Sequence, residues 1–354
     1  MDENEDDKFM RRCLGLASSA EGMTYPNPLV GCVVVSGGEI IGEGFHQKAG
    51  LPHAEVNAIN SVKDKTKLKR STLYVNLEPC SHFGKTPPCA DFIIENKIPR
   101  VVIGTADTSR KVSGSGIARL SAAGCEVITG VLEKESRWIN RRFFTSNEKN
   151  RPWIILKWAQ SADGFIDIIR TGAPPAWPTW ISGKSERALV HKWRSYEQSI
   201  LVGAGTLRAD NPRLNVREWS GSDPLRLVLS SSGKSMPDQA DGKWVVFTHN
   251  SDVVQADSGF VKLDESKESC IQILEYLQNN GLQSLFVEGG SQVLNHFITN
   301  GLWDEARIFK GRDHFRHGIK APVVGGTIIS QVIFSSSHLL IYSNEQLNEL
   351  DFVI

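Results

Sequence analysis

One histidine, one glutamate and two cysteines occur at a spacing that could form a catalytic zinc site. His53 and Glu55 are separated by a single alanine at a predicted helix start, and Cys80 and Cys89 follow a predicted strand. Neutral imidazole and thiolate groups are zinc ligands, and a catalytic site keeps its fourth position for water. His53, Cys80 and Cys89 would supply the three protein ligands. The metal lowers the pKa of its water toward ~7, which gives a nucleophile at neutral pH.

Glu55 is placed to move protons in a hydrolytic deamination. In that reaction water attacks a ring carbon that bears an amino group. A carboxylate takes the proton of the water and delivers it to the leaving ammonia, and Glu55 lies two positions from His53. Helix N-termini also favour thiolates, which lowers the cost of ionising Cys80 and Cys89.

Two simpler interpretations compete with the catalytic one. A lone histidine or cysteine is more often a surface or core residue than a metal ligand, but the joint pattern disfavours that explanation. A purely structural zinc site would require a fourth ligand, which His82 could supply, and would give Glu55 no role. Cys80 and Cys89 are nine positions apart, whereas the general deaminase signature spaces its cysteines as C-x-x-C.

Composition narrows the class of protein. The 354 residues carry a formal net charge of zero, so no global field attracts a polyanion and we do not expect a nucleic-acid partner. No stretch approaches the ~20 apolar residues of a membrane helix, and the acidic residues 2–7 do not resemble a signal peptide. We therefore expect a cytoplasmic protein with no membrane partner. Six cysteines in a chain of this length favour metal binding or burial over a disulfide framework.

Strands that alternate with helices must position these side chains, which predicts an α/β layer fold. At roughly 100–200 residues per domain the length suggests two domains, and the polar run that ends at Pro152 places them at 1–149 and 150–354. In the first half we predict helices at 8–20, 53–62 and 90–96, and strands at 29–35, 39–44, 72–77, 101–104 and 126–130. In the second half we predict helices at 184–195, 266–279 and 291–300, and strands at 153–158, 199–202, 225–229, 244–248 and 284–287.

A Val-Glu-Gly-Gly-Ser segment at 287–291 joins a predicted strand to a predicted helix. Glycines at such a turn let backbone N–H groups approach a phosphate, and the helix N-terminus adds favourable partial charge. Two glycines alone more often form a plain turn. The chain lacks a G-x-G-x-x-G pattern with a trailing acid, so a Rossmann fingerprint is not supported.

Three motifs in the first half resemble the bifunctional riboflavin-biosynthesis deaminase/reductase family. They are Pro-Asn-Pro-Leu-Val-Gly at 26–31, His-Ala-Glu at 53–55, and the Glu-Pro-Cys to Cys segment at 78–89. That family shares the wider cysteine spacing, and the resemblance runs through both halves. It implies an N-terminal cytidine-deaminase-like three-layer α/β/α domain followed by a dihydrofolate-reductase-like α/β domain.

The resemblance also implies two reactions. The first is zinc-dependent hydrolytic deamination of 2,5-diamino-6-ribosylamino-4(3H)-pyrimidinone 5′-phosphate, with one Zn²⁺ per chain. The second is NADPH-dependent reduction of the ribosyl side chain to ribityl. The expected partner is thus a small phosphorylated pyrimidine, and the family commonly self-associates, so we expect a homo-oligomer.

Residue roles follow from the resemblance and not from spacing. It places five residues around the deaminase substrate: Asn27, His46, His82, Lys85 and Asp107. It places eleven around NADP: Ala159, Trp180, Thr206, Asp210, Gly290, Ser291, Gln292, Val293, Leu294, Asn295 and His296. It places five near the reductase substrate: Pro178, Arg194, Leu214, Arg217 and Glu288.

Side-chain chemistry suits some residues of the second half to these roles, and two positions depart from the family pattern. Arg194 and Arg217 suit a phosphate, because guanidinium binds phosphate bidentately. Lys157 and Asp163 are candidates for proton transfer in the reduction. Pro178 departs from the small polar residue that the family has there. Thr108 and Ser109 follow Asp107, where the family has Pro-Asn.

Three alternatives remain open at the level of sequence. The proline-rich segment 173–178 motivates a deaminase whose reductase domain is inactive. A nucleic-acid deaminase is disfavoured by the zero net charge and the long second domain. A zinc-stabilised binding module is the non-enzymatic alternative, and the role of Glu55 discriminates it from an enzyme.

Overall fold

The chain forms two compact units, Met1–Asn150 and Arg151–Ile354. Within the described residues, no helix has both the length and the apolar character needed to cross a membrane. The structure is a computed structural model and describes residues 4–82, 87–108, 114–169, 180–233, 243–253 and 259–345.

The first unit is a sheet with helices on both faces. Its elements are α1 (Glu5–Ser18), β1 (Gly31–Ser36), β2 (Glu39–Phe45), α2 (Ala54–Ser61), a 3₁₀ turn (Lys65–Arg70), β3 (Thr72–Leu77), α3 (Cys89–Glu95), β4 (Arg100–Thr105), α4 (Ser115–Ala122), β5 (Glu126–Thr129), α5 (Glu133–Ile139) and α6 (Arg141–Glu148). The described strands run in the order β2-β1-β3-β4-β5. β1 is antiparallel to both neighbours, and β3, β4 and β5 are parallel.

Alternation along β1 explains the two helical layers. Val33 and Val35 pack with α1, whereas Cys32 and Val34 pack with α2 and α3. Successive strand residues point to opposite faces, so a strand that is apolar at every position is covered on both sides. This arrangement is the predicted three-layer α/β/α domain.

The first helix begins earlier than predicted. The sequence pattern predicts a helix over 8–20, whereas α1 spans Glu5–Ser18. The Asn4 side chain accepts from the N–H of Asp6 and caps the helix. The acidic residues that follow it stabilise the helix N-terminus through the macrodipole.

Two glycines set how closely α2 lies on the sheet. A Cβ at Gly42 would lie 2.6 Å from the Ala58 oxygen, and a Cβ at Gly44 would lie 2.6 Å from the Ala58 nitrogen. Only glycine permits this approach of the helix backbone to β2. The fit fixes α2 on the sheet near Asn57 and Ala58, and thereby the helix that carries Glu55.

The second unit is built on one large sheet. Its elements are β6 (Trp153–Gln160), β7 (Phe165–Asp167), α7 (Lys184–Tyr196), β8 (Ser199–Gly203), α8 (Ala204–Asp210), β9 (Leu225–Leu229), β10 (Trp244–Thr248), a 3₁₀ turn (Ser251–Val253), β11 (Phe260–Lys262), α9 (Ser269–Asn279), β12 (Ser284–Val287), α10 (Ser291–Thr299), β13 (Glu305–Gly311), β14 (Ile319–Lys320), β15 (Thr327–Ile333) and β16 (Ser337–Ser343). The described strands run in the order β11-β10-β9-β8-β12-β6-β13-β16-β15, with β7 and β14 paired separately. The strands from β11 to β13 are parallel, and β16 and β15 complete the sheet in antiparallel fashion.

One predicted helix boundary in this unit is wrong by three residues. The pattern predicts a helix over 266–279, whereas α9 spans Ser269–Asn279. The Asp264 carboxylate accepts from the N–H and the hydroxyl of Ser266, at 2.9 and 2.8 Å. This local turn competes with the helix and delays its start.

Candidate active sites

The three predicted zinc ligands converge in the first unit. His53 occupies the position before the first residue of α2, Cys89 is the first residue of α3, and Cys80 lies in the loop after β3. His53 Nδ1 lies 3.6 Å from Cys80 Sγ and 3.3 Å from Cys89 Sγ. Tetrahedral zinc with ordinary Zn–N and Zn–S bonds would separate nitrogen from sulfur by roughly 3.6 Å. The donor set and its spacing therefore fit zinc.

Cys80 is held against the start of α3 although it lies outside the helix. The backbone N–H of Cys89 donates to Cys80 Sγ at 3.3 Å, and the N–H of Ala90 donates to the Cys80 carbonyl at 3.1 Å. The hydrogen bond between the two sulfurs lowers the pKa of Cys80 and raises that of Cys89, and His53 lowers the pKa of Cys80 further. This site thus favours a thiolate, the form that binds metal.

Glu55 lies in the first turn of α2 with only 3% of its surface exposed. Burial raises the pKa of Glu55 to about 7, and the neighbouring Cys80 acts in the same direction. A carboxyl group with a pKa near neutrality can both accept and release a proton. Its environment is therefore suited to proton transfer beside the metal position.

His82 is the last described residue before a gap in the described structure. His82 is exposed, and in the described part of the chain no fourth His, Cys, Asp or Glu joins His53, Cys80 and Cys89. A closed structural zinc site with His82 as its fourth ligand is thus disfavoured, and the open position of a catalytic site is retained. Lys85 lies outside the described residues.

Asn27 and His46 lie beside the zinc ligands and orient each other. His46 Nδ1 lies 3.1 Å from the Pro52 carbonyl, so this nitrogen carries the proton and donates. His46 Nε2 then accepts from the Asn27 amide at 3.1 Å. Burial lowers the pKa of His46 and keeps the ring neutral. Its ring meets that of His53 edge-on, with the centroids 5.3 Å apart.

Two buried asparagines, not predicted from the sequence, hold the loop that carries Asn27. Asn140 accepts from the N–H of Leu29 at 2.7 Å and donates to the Leu29 carbonyl at 2.9 Å. Asn76 donates to the same carbonyl and accepts from the N–H of Gly31. The two side-chain amides hydrogen-bond with the backbone N–H and C=O groups of this loop, as a neighbouring strand would, and fix residues 27–31 relative to the site.

Glu78, the acid of the Glu-Pro-Cys motif, organises the loop opposite. Its buried carboxylate accepts four backbone N–H groups at 2.8–3.2 Å, from Asp107, Gly114, Gly116 and Ile117. The predicted substrate residue Asp107 is therefore fixed to the strand that leads to Cys80. From the sequence, an acidic residue at the end of a buried strand indicates that its carboxylate needs hydrogen-bond partners. The sequence does not identify those partners, because they are distant in the chain.

Glu78→Gln is expected to destabilise the first unit by about 2–6 kcal/mol. An amide has a single oxygen, so at least two of the four N–H groups lose their acceptor, at about 1–3 kcal/mol each. Thermal unfolding of the zinc-loaded protein measures the change. Glu95→Gln is the matched control, because Glu95 is exposed on α3. Equal midpoints for the two variants would contradict the role assigned to Glu78.

A cavity of about 590 Å³ in the second unit lies at the carboxyl ends of β6, β8 and β12. Ligands of open α/β sheets bind at this edge. Eight of the predicted NADP residues line the cavity, together with Lys157 and Glu288. The eight are Ala159, Thr206, Asp210, Gly290, Ser291, Gln292, Val293 and Leu294.

The glycine turn before α10 opens into this cavity. The N–H of Gly290 donates to the Thr206 hydroxyl at 2.8 Å. A Cβ at Gly289 would lie 3.0 Å from the nitrogen of Gly203 and 3.1 Å from the Val202 Cα. The turn thus packs tightly on β8, and the N-terminus of α10 faces the cavity with favourable charge for a phosphate.

Glu288 forms a buried ion cluster at one side of the cavity. Its two oxygens accept from Nε and Nη2 of Arg194 at 2.7 and 3.0 Å, and Lys157 Nζ lies 3.6 Å away. Burial alone would raise the pKa of Glu288, but the charges of Arg194 and Lys157 outweigh it and lower the pKa to about 2. Burial lowers the pKa of Lys157, which makes it a better proton donor than a solvated lysine.

Three predicted NADP residues do not line this cavity. Trp180 is 60% exposed and stacks on the Arg187 guanidinium at 4.4 Å. Asn295 donates to the Ser291 hydroxyl at 3.1 Å. His296 Nε2 lies 3.4 Å from the Glu268 carboxylate. Their side chains contact protein groups, so their contribution to cofactor binding stays a prediction.

The structure disfavours Asp163 as a proton donor. Its carboxylate accepts from the Ser161 hydroxyl and from the backbone N–H groups of Phe315 and Arg316. These hydrogen bonds, that of Ser161 first, lower the pKa of Asp163 to about 2. It is ionised at neutral pH and serves to hold a turn. Pro178 lies outside the described residues.

Comparison with known proteins decides the family. The cytidine and deoxycytidylate deaminase zinc-binding region matches residues 3–105, and the RibD C-terminal domain matches residues 152–311. The riboflavin biosynthesis protein RibD of Aquifex aeolicus is 38% identical over 321 residues, which cover 86% of each chain. The chain belongs to the RibD family. RibD of Escherichia coli is 34% identical over 86% of this chain and 87% of its own.

Solved RibD structures share the whole fold. A crystal structure from Thermotoga maritima superposes with a TM-score of 0.86 at 35% identity and covers 96% of this chain and 98% of its own. RibD of Acinetobacter baumannii gives a TM-score of 0.84 at 28% identity over the same shares. The predicted fold class, a deaminase-like domain followed by a reductase domain, is thereby confirmed. As a RibD protein, the chain is a deaminase and reductase of riboflavin biosynthesis with a zinc-binding deaminase domain.

Proposed function

We propose that the first unit deaminates 2,5-diamino-6-ribosylamino-4(3H)-pyrimidinone 5′-phosphate and that the second unit reduces the ribosyl group of the product. The Thermotoga maritima relative is described as a diaminohydroxyphosphoribosylaminopyrimidine deaminase and a 5-amino-6-(5-phosphoribosylamino)uracil reductase. The observation that carries the proposal is the juxtaposition of three ligand atoms at zinc spacing with the buried Glu55.

In the deaminase, His53, Cys80 and Cys89 hold one zinc ion per chain, which when bound supplies an activated water. Glu55 accepts the proton of that water as its oxygen bonds to the ring carbon. Glu55 passes this proton to the ring nitrogen that receives the electron pair, then takes the remaining proton of the new hydroxyl group and gives it to the amino nitrogen as the C–N bond breaks, so that ammonia leaves and a carbonyl remains. Asn27, fixed by the neutral His46, positions the pyrimidine or its ribose.

In the reductase, the residues that line the 590 Å³ cavity would hold NADPH, which when bound would supply a hydride. Reduction of the opened, imine form of the sugar would also require a proton at the imine nitrogen. Lys157 lines this cavity, and burial lowers its pKa. We assign it as the proton donor for that nitrogen.

The positive charge near Glu288 supports binding of a phosphorylated substrate. Partial desolvation lowers the pKa of Arg217, and the charges of Arg194 and Arg213 lower it further. Crowded cations of this kind are stabilised by a dianion, and guanidinium groups bind phosphate bidentately. Arg217 is exposed and accessible to such a group.

Coupled assays test the two activities separately. Zinc-loaded protein should release ammonia from the diaminopyrimidinone ribotide, and a chelator should stop this release. NADPH should be oxidised only once deaminated product is present, and the chelator should not affect oxidation when that product is supplied directly. Ammonia release without NADPH oxidation would instead support a deaminase with an inactive reductase domain.

Gly290→Ala is expected to raise the KM for NADPH by roughly 10-fold. The hydrogen bond from the N–H of residue 290 to the Thr206 hydroxyl is disturbed, which costs about 1 kcal/mol, and the steric clash of the new methyl group with Thr206 adds to this cost. The new Cβ would lie 2.9 Å from the Thr206 hydroxyl oxygen and disturb the turn that faces the cavity. Steady-state oxidation of NADPH measures the effect, and ammonia release should not change. The matched control is Gly325→Ala, where an added Cβ meets nothing within 4 Å. An unchanged KM for NADPH would show that this turn is not part of the cofactor site.

A further inference from the structure

Two side chains of α7 bind the backbone of the same loop. His191 and Arg194 are three positions apart on α7, so they lie on one face of the helix. The loop at residues 214–217 carries Arg217, which we assigned to the substrate phosphate. We propose that His191 is a positioning residue that, together with Arg194, fixes this loop so that Arg217 meets the phosphate of the reductase substrate. This inference rests on the proposed reductase function.

His191 acts through a hydrogen bond to the loop backbone. The N–H of Arg217 donates to His191 Nδ1 at 3.3 Å. A ring nitrogen that accepts carries no proton, so the proton lies on Nε2, which is 3.9 Å from the Glu218 carboxylate. The side chain is 3% exposed, so few water molecules compete for this contact.

The surroundings keep His191 in this neutral form. Burial lowers the pKa of His191 to about 4, and the charges of Arg194 and Arg217 act in the same direction. The imidazole therefore remains an acceptor through the neutral pH range. A neutral ring whose one proton faces Glu218 is not a proton donor to a substrate, which leaves the loop contact as its function.

Arg194 makes the second hydrogen bond from α7 to the loop, and it is also hydrogen-bonded to Glu288. Its Nη1 donates to the Asn215 carbonyl at 3.1 Å, and its Nε and Nη2 donate to Glu288. Three of its five N–H groups are thus used within the chain. Arg194 acts on the substrate mainly by holding the loop and the Glu288 carboxylate in place.

The loop itself is shaped to present Arg217. Leu214 is 2% exposed and has a φ of 55°, so a buried anchor turns the chain sharply at this point. The Asn215 side chain accepts from Nη1 of Arg217 at 3.2 Å and orients the guanidinium. His191 and Arg194 thus hold the loop backbone at Arg217 and Asn215, while the Arg217 side chain remains exposed.

The experiment compares His191→Leu, His191→Asn and Arg217→Met with the double variant His191→Leu/Arg217→Met, all in the full zinc-loaded chain. Leucine fills similar space but accepts no hydrogen bond, whereas the Asn oxygen can replace Nδ1. We expect His191→Leu to raise the reductase KM for the phosphorylated substrate roughly 10-fold, with kcat changed less than about 3-fold, and His191→Asn to restore most of the loss. The KM for NADPH and the rate of ammonia release should stay at their wild-type values.

The double variant separates positioning from a general structural role. Once Arg217 lacks its guanidinium, removing the His191 acceptor should cost less than about 2-fold further, because the two residues act on the same phosphate. Additive losses would overturn the proposal, as would a fall in kcat and in NADPH affinity of the same size as the change in KM. If His191→Leu does not fold, a wild-type KM in His191→Asn supports the proposal, and a raised KM for NADPH in that variant overturns it.

A dephosphorylated substrate distinguishes this proposal from the proposed function. The wild type should have a higher KM for the dephosphorylated substrate than for the phosphorylated one. His191→Leu should raise the KM for the dephosphorylated substrate little further. If the wild type oxidises NADPH equally well with and without the 5′-phosphate, the assignment of Arg217 to a phosphate fails and this inference fails with it. If the wild type discriminates and His191→Leu discriminates equally, only the role of His191 is wrong.

Discussion

Replacing Glu55 by glutamine is expected to slow ammonia release by at least about 100-fold, the usual contribution of a general acid–base group. Glutamine has nearly the shape of glutamate but cannot take the proton of the water or return it to the amino nitrogen. The buried site and the raised pKa of Glu55, about 7, are what make the wild-type carboxyl effective. The measurement is single-turnover ammonia release by the zinc-loaded variant.

Two readouts keep this prediction specific to proton transfer. Zinc content and thermal midpoint should match the wild type, because glutamine preserves the volume at the start of α2. NADPH oxidation on the deaminated substrate should be unchanged, which serves as an internal control. A fully active variant would show that another group moves the proton, and loss of zinc would show that Glu55 supports the metal site instead.

Cys80→Ser is expected to lose zinc, abolish ammonia release and lower the stability of the first unit. A serine hydroxyl is not a thiolate, so two protein ligands remain for a metal whose binding is linked to folding. The hydrogen bond from the N–H of Cys89 to the Cys80 sulfur is weakened as well. Metal analysis of the purified protein, together with a melting curve, measures both effects.

Cys125→Ser is the matched control for this change. Cys125 lies in the same unit, and its thiol donates to the Ile98 carbonyl at 3.3 Å, a contact that a hydroxyl can replace. We expect this variant to keep zinc and activity. Full zinc content in Cys80→Ser would show that Cys80 is not a ligand.

At the zinc site, local sequence determines one part of the geometry and tertiary packing determines the other. His53 and Glu55 are neighbours at a helix start, so their common orientation depends only on local geometry and could be predicted. That Cys80 and Cys89 meet His53 depends on how α2 and α3 pack on the sheet. Only the resemblance to a family supplied that step, because spacing alone also allowed a structural site with His82.

The residues that support the sites could not be predicted, since their partners are distant in the chain. Glu78 binds N–H groups 29 to 39 positions away, and Asn140 binds Leu29 across 111 positions. A buried polar side chain must find a hydrogen-bond partner, but only the packed fold determines which one. Arg194 shows the same limit, because an expected phosphate ligand is largely occupied by Glu288 and Asn215.

The sequence by itself determined the residue types of the zinc site, the alternation that specifies two α/β units, and most helices and strands of the parallel sheets. These features follow from local spacing and from apolar periods of 2 and 3.6 residues. Tertiary structure alone decided the pairing of β16 with β13, the α7 contacts with the 214–217 loop and the shape of the cofactor cavity. Each of these depends on pairing or packing between segments far apart in the chain, and no local pattern encodes which segments will meet.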